Sequence, residues 1–104
     1  MTEEEKLYIS IGQYLKDAVP AQMFGKPCFK INGKAFICFF RNEMVFKLSG
    51  DIREKALGYE GSQLFDPSGK KRPMKEWVQV SAGYSDKWHE LAKHAMEYVT
   101  VSNM

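Results

Sequence analysis

The sequence predicts an α+β fold, in which an antiparallel β-sheet of about four to five strands carries N-terminal, middle and C-terminal helices. Three observations lead to this prediction. A capped amphipathic helix opens the chain, strand-like runs with tight turns fill residues 23–48, and another amphipathic helix closes the chain. The length of 104 residues and the hydrophobic content of 44% suit one domain, residues 1–104, with one core.

The first helix is predicted to start at Thr2. In Thr2-Glu3-Glu4-Glu5 the threonine hydroxyl can accept from the Glu5 amide while the Glu5 carboxylate returns to the Thr2 amide, which is a capping box. Pro20 is expected to end the element. Apolar residues recur between these limits at helical spacing: Leu7, Ile11, Leu15 and Ala18.

Three antiparallel strands are predicted next, with an earlier strand near residues 22–24. Asn32-Gly33 separates two runs of aromatic and β-branched residues, and this dipeptide favours a two-residue type I′ hairpin. A second turn around Asn42-Glu43 leads to the strand Met44–Leu48.

The Asn32-Gly33 turn also predicts a strand register. Cys28 and Cys38 then point to opposite faces of the sheet, so no disulfide joins them. The predicted pairs are Ile31 with Lys34, Phe29 with Phe36, and Cys28 with Ile37.

The second half of the chain predicts a short helix, a further strand and a closing helix. Asp51-Ile52-Arg53-Glu54 is another capping box, and Gly58 suits the position after a helix that spans about Asp51 to Leu57. Residues 59–72 are rich in turn formers, and Trp77–Val80 has strand character. One face of the closing helix is apolar, with Trp88, Leu91, Ala92, Ala95, Tyr98 and Val99.

The sequence contains no recognisable catalytic or metal-binding motif. His89 and His94 are five residues apart, whereas zinc-protease helices need histidines four apart, and Lys93 fills that place. We expect solvent-facing histidines, no metal and no cofactor. Cys28 is the candidate reactive thiol, because cations near a strand start lower a thiol pKa, whereas Cys38 lies in an apolar run.

Basic residues cluster along the predicted sheet, although the net charge of the chain is only +2. Interleaved with aromatic residues, such a set could bind phosphates and stack bases. The alternative is a solvated sheet face whose aromatic residues build the core. The candidate binding residues are Lys26, Lys30, Lys34, Lys47, Lys70, Lys71, Arg72 and Lys75.

The run MFGKPCFKINGKAF at residues 23–36 resembles the N-terminal domain of the TfoX/Sxy family. VFKL at residues 45–48 and MKEWV at residues 74–78 extend the likeness, which covers about residues 20–100. The resemblance implies an α+β fold with an antiparallel sheet and flanking helices. Founding members regulate natural competence with the transcription machinery and carry a further helical domain, so this chain resembles the stand-alone members.

These observations leave three hypotheses of function open. The first is a non-enzymatic binding or regulatory module that contacts nucleic acid or a transcription protein. The second is a small-ligand binder or enzyme that uses a pocket near Cys28, Lys47 and Trp77. The third is a subunit that associates with a second copy of itself or with a partner, with the oligomeric state undetermined.

We expect a cytoplasmic location and no membrane partner, because the N-terminus lacks a leader pattern and no apolar run approaches ~18 residues.

Overall fold

A computed structural model describes residues 1–67, 69 and 73–101 of the chain. Within them lie three α-helices, six strands and a short 3-10 helix, Ala82–Lys87. The predicted α+β class is confirmed, with six strands rather than four to five. In chain order the elements are α1 (Glu3–Tyr14), β1 (Val19–Met23), β2 (Lys26–Ile31), β3 (Lys34–Phe40), β4 (Glu43–Lys47), α2 (Gly50–Leu57), β5 (Gln63–Phe65), β6 (Met74–Val80) and α3 (Trp88–Val101).

Helix α1 starts where its capping residue predicts. The Thr2 hydroxyl accepts from the Glu5 amide at 3.0 Å and donates to Oδ1 of Asn42 at 2.5 Å. Nδ2 of Asn42 in turn donates to Glu4 at 3.0 Å, so the helix start is tied to the β3–β4 turn. The helix ends at Tyr14, earlier than expected, and Pro20 lies instead in β1, an edge strand that tolerates proline.

The sheet is antiparallel throughout, in the order β1-β2-β3-β4-β6-β5. Its first four strands are joined by two-residue turns in which both residues have positive φ, as a type I′ turn requires. The predicted turn at Asn32-Gly33 is confirmed, with φ of 51° and 78°. Phe24-Gly25 and Arg41-Asn42 form the other two, at 53° and 73° and at 51° and 64°.

The predicted register of β2 against β3 is wrong beyond the turn. Ile31 does pair with Lys34, but a β-bulge then leaves Phe36 without a partner. The pairs that follow are Phe29 with Ile37 and Cys28 with Cys38, rather than Phe29 with Phe36 and Cys28 with Ile37.

The bulge has a packing cause and a chemical consequence. Phe36 and Ile37 are both fully buried in the core beneath the helices, which strict alternation along a strand would not allow. As a result, Cys28 and Cys38 are direct cross-strand partners on the same face, although both are free thiols.

All three helices pack on one face of the sheet, which we call the helix face. Its core includes Tyr8 of α1, Ala56 of α2 and Leu91 of α3 against the apolar residues of the central strands. The predicted apolar face of α3 is confirmed, with Trp88 fully buried at its start. Helix α2 differs from the prediction, because Ser49 is its N-cap and Asp51 lies in the first turn.

The opposite face, which we call the open face, carries a second and smaller core without helical residues. It consists of Cys28, Cys38, Val45, Phe65 and Trp77. The rings of Phe40 on β3 and Phe65 on β5 meet edge to face at 5.2 Å between centroids, although two strands lie between them. The sheet therefore curls over its open face.

Candidate functional site

Three of the predicted binding lysines share the open face. Lys26 and Lys30 lie two residues on either side of Cys28 in β2, so they project on the same side of the sheet. Lys47 in β4 is paired with Trp77, a member of the open-face core. The structure therefore brings three of the predicted residues, Lys26, Lys30 and Lys47, together on one surface.

Lys34 is separated from these three lysines by the sheet. Lys34 is paired with Ile31, whose side chain belongs to the helix-face core, so Lys34 lies on that side. Lys75 is exposed on β6, and its carbonyl accepts from Nε of Arg53 at 2.6 Å. Lys70, Lys71 and Arg72 lie outside the described residues.

Arg41 joins the open-face lysines, although it was not among the predicted binding residues. Its guanidinium Cζ lies 5.1 Å from the centroid of Phe40, and Lys26 Nζ lies 5.2 Å from the same ring. The sequence indicated a turn around Asn42-Glu43, and in the structure the two turn residues are Arg41 and Asn42, which puts the arginine at the same end of the sheet as Lys26. We call Lys26, Lys30, Arg41 and Lys47 the basic rim.

The aromatic residues of this face hold the cations rather than offering free rings. Nζ of Lys47 lies 6.0 Å from the Trp77 ring, a cation–π distance. The Trp77 side chain is only 6% exposed, and Phe40 is half-buried. Both rings therefore lie against the cations, and the buried Trp77 ring is not accessible for stacking on a partner.

The positive charge of the rim is not neutralised within the described part of the chain. None of its four cations forms an ion pair with a described carboxylate. The one acidic residue of the strands β1 to β4, Glu43, accepts from Nε2 of Gln79 at 2.8 Å and from the Ala82 amide at 3.3 Å. The rim is therefore available to an external anion.

The two cysteines are placed for packing rather than for reaction. Both thiols are fully buried, and burial raises the pKa of each, with the charge of Lys30 partly offsetting that rise at Cys28. A buried neutral thiol is a poor nucleophile at neutral pH. Burial therefore argues against the activated thiolate that the basic neighbours of Cys28 in the sequence suggested.

Metal ligands do not converge among residues 1–67, 69 and 73–101, where no three His, Cys, Asp or Glu side chains form a cluster. His94 Nε2 lies 4.0 Å from Glu90, and the His89 ring packs against Tyr14 at 4.7 Å between centroids. The two histidines are half-buried rather than fully solvent-facing.

The buried thiols predict a loss of stability in alkaline solution. Above the unfolded cysteine pKa of about 8.5, the unfolded chain has lost thiol protons that the native chain retains. The free energy of unfolding should therefore fall with rising pH between about 8.5 and 10, by up to about 1.4 kcal/mol per pH unit for each thiol. Urea unfolding at several pH values measures this slope.

The matched control is the double variant Cys28→Ala, Cys38→Ala, which should lose the slope in that interval. Burial also raises the pKa of Tyr8, but that phenol contributes only above about pH 10. A wild-type free energy of unfolding that stays constant up to pH 10 would contradict the prediction.

A groove of about 370 Å³ lies on the helix face between α1 and the strands β1 and β2. Its lining is mainly apolar and includes Tyr8, Ile9, Ala18, Pro20 and Phe29. Cys28 also borders it, but Lys47 and Trp77 do not, so the three residues of the expected pocket are not brought together there. The Tyr8 hydroxyl is buried without a hydrogen-bond partner among the described residues.

Within the described residues, no helix has the length and apolar character that a membrane span requires. Comparison of the chain with known protein families, with curated proteins and with solved structures found no match.

Proposed function

We propose that this protein is a non-enzymatic, cytoplasmic binding module that contacts nucleic acid through its basic rim. The resemblance of residues 20–100 to the N-terminal domain of the TfoX/Sxy family supports a regulatory role of this kind. The observation that carries the proposal is the basic rim itself, four cations on one face without a described ion pair.

Charge and geometry favour a nucleic acid over a transcription protein as the partner. A phosphate backbone presents closely spaced negative charges along a line, and lysine and arginine neutralise them with release of counterions. Residues 19–49 hold five basic residues and one acidic residue, and that residue, Glu43, is occupied by internal hydrogen bonds. Lys30 and Lys47 lie on strands β2 and β4, about 10 Å apart at the usual strand spacing, so the charges spread across the surface.

Fluorescence anisotropy with labelled DNA and RNA across a salt series tests the proposal. We expect micromolar binding that weakens steeply with salt. Replacing Lys26, Lys30 and Lys47 by glutamine should weaken binding to all sequences and lower the slope of log affinity against log salt by about 2 to 3, since each duplex phosphate contact contributes about 0.9.

The matched control replaces three exposed lysines away from the sheet, Lys16, Lys55 and Lys87, by glutamine. This variant has the same net charge as the rim variant but keeps the basic rim intact. It should therefore keep most of the affinity and of the salt slope. Absence of salt-dependent binding by the wild-type protein would refute the nucleic-acid proposal and favour a protein partner.

A second candidate function is binding of a small apolar ligand in the groove beside Tyr8. The groove volume lies within the range of small-molecule sites, and its lining is largely apolar. Ligands that bind there should raise the midpoint of thermal unfolding. The variant Ala18→Phe, which would fill part of the groove, should abolish that shift, and a shift that survives it would place the ligand elsewhere.

A further inference from the structure

The turn between β1 and β2 carries an aromatic residue where the backbone disfavours one. Phe24 has a φ of 53° in a two-residue turn that normally selects Asn, Asp or Gly. A non-glycine residue in this conformation costs on the order of 1 kcal/mol. Burial of the ring does not compensate for that cost, since Phe24 is 60% exposed. Strain of this kind, held at an exposed position, points to a function of the side chain.

Two cations lie at the same end of the sheet as this exposed ring. The β1–β2 and β3–β4 turns open at the same end of the sheet, because each antiparallel turn reverses the chain. Lys26 directly follows Phe24-Gly25, and Arg41 lies in the β3–β4 turn. Both cations lie over the half-buried ring of Phe40, at 5.2 and 5.1 Å, which fixes them at that end.

We infer that the Phe24 turn is a stacking platform for an unpaired base, so that the protein binds single-stranded nucleic acid in preference to duplex. This inference rests on the function proposed above and assigns its substrate class. An exposed aromatic ring offers a face to any base, while neighbouring cations bind the phosphates on either side. The bases of a duplex are already stacked on one another. A projecting phenyl ring could stack on a duplex base only if neighbouring bases were first unstacked, which costs free energy.

A membrane surface is the other partner that an exposed aromatic residue and cations could bind. Interfacial binding depends on a substantial buried apolar area, usually the face of an amphipathic helix. Here one phenyl ring projects from a tight β-turn, and the adjoining Met23 is half-buried in the open-face core. The observations therefore favour nucleic acid.

The test compares one oligonucleotide sequence as single-stranded DNA, as single-stranded RNA and as duplex DNA, by anisotropy at fixed salt. Phe24→Asn should weaken single-strand binding about tenfold and leave duplex binding unchanged. Asparagine tolerates positive φ, so this variant should fold with unchanged or higher thermal stability. Val19→Asn changes an exposed apolar residue at the opposite end of β1, so it is the matched control and should leave single-strand affinity unchanged.

Phe24→Trp provides an independent readout, since the native Trp77 and Trp88 are buried. The introduced indole should retain single-strand affinity, and single-stranded oligonucleotide should quench its fluorescence while duplex should not. Equal affinity of Phe24→Asn and wild type for single strands, or equal losses for single strand and duplex, would overturn the inference. Binding of the wild type to anionic vesicles that is lost in Phe24→Asn, without any effect on single strands, would overturn it as well.

Failure of the inference differs from failure of the proposed function. If the wild-type protein binds no nucleic acid, the proposed function fails and the inference falls with it. If the wild type binds through the basic rim but Phe24 has no effect, only the inference fails.

Discussion

Replacing Gly12 by alanine is expected to destabilise the protein by about 3 kcal/mol, near the upper end of the usual cost of overpacking. Helix α1 crosses β2 so closely that a Cβ at Gly12 would lie 2.1 Å from Cε2 and 2.2 Å from Cζ of Phe29. The ring cannot simply turn away, because it is buried and packs against Tyr8 at 5.3 Å between centroids. Urea unfolding followed by circular dichroism measures the loss.

Two controls separate this steric effect from the general effect of replacing glycine. Gly83→Ala should be close to neutral, since its Cβ would meet Oγ of Ser81 at an ordinary 3.5 Å. In a double-mutant cycle with Phe29→Ala, the two substitutions should cost less together than the sum of their separate costs, because the smaller side chain makes room. A stabilised Gly12→Ala protein, as helix propensity alone favours, would show that α1 does not pack as described.

Replacing Trp88 by alanine is expected to cost about 3 to 5 kcal/mol of unfolding free energy, a large part of the ~5–15 kcal/mol that such a domain has. Trp88 is 0% exposed at the start of α3 and is the largest fully buried side chain of the described residues. Its removal leaves a cavity where α3 joins the core, and thermal or urea unfolding measures the effect.

Trp88→Phe is the conservative control. The indole Nε1 is buried without a hydrogen-bond partner among the described residues, so phenylalanine loses volume but also removes an unsatisfied donor. We expect Trp88→Phe to lower the free energy of unfolding by about 1 to 2 kcal/mol. Val101→Ala, on the exposed end of the same helix, should change it by no more than about 0.5 kcal/mol. Equal costs for Trp88→Ala and Val101→Ala would contradict the position assigned to Trp88.

The parts of the fold that the sequence predicted well depend on local interactions. Thr2 caps α1 through a hydrogen bond to an amide three residues away. Asn32-Gly33 adopts positive φ because these residue types accept it. The apolar face of α3 follows from helical periodicity. Each of these signals lies within a few neighbouring positions.

The parts that were missed depend on distant contacts. The bulge at Phe36 allows Phe36 and Ile37 both to be buried in the helix-face core. This core exists only where the helices pack against the sheet. The short strand β5 is defined by its pairing with β6 and has little pattern of its own. The close approach at Gly12 requires a particular crossing of α1 over β2, which no local signal indicates.

The candidate site also has a part that the sequence predicted and a part that depends on tertiary structure. The basic character of the strand region was visible in the sequence, but the face on which each cation lies depends on the register. Pairing assigns Lys47 to the open face and Lys34 to the helix face. Arg41 enters the rim because its turn opens at the same end of the sheet as Lys26.

By itself, the sequence determined the α+β class, the start of α1, the apolar face of α3 and the hairpin at Asn32-Gly33, because capping, periodicity and turn chemistry act over a few residues. The tertiary structure alone decided that Cys28 faces Cys38 and that four cations share one face. The physical reason is that a single extra residue in a strand reverses the faces of all the residues beyond it, and only long-range packing decides where it is inserted.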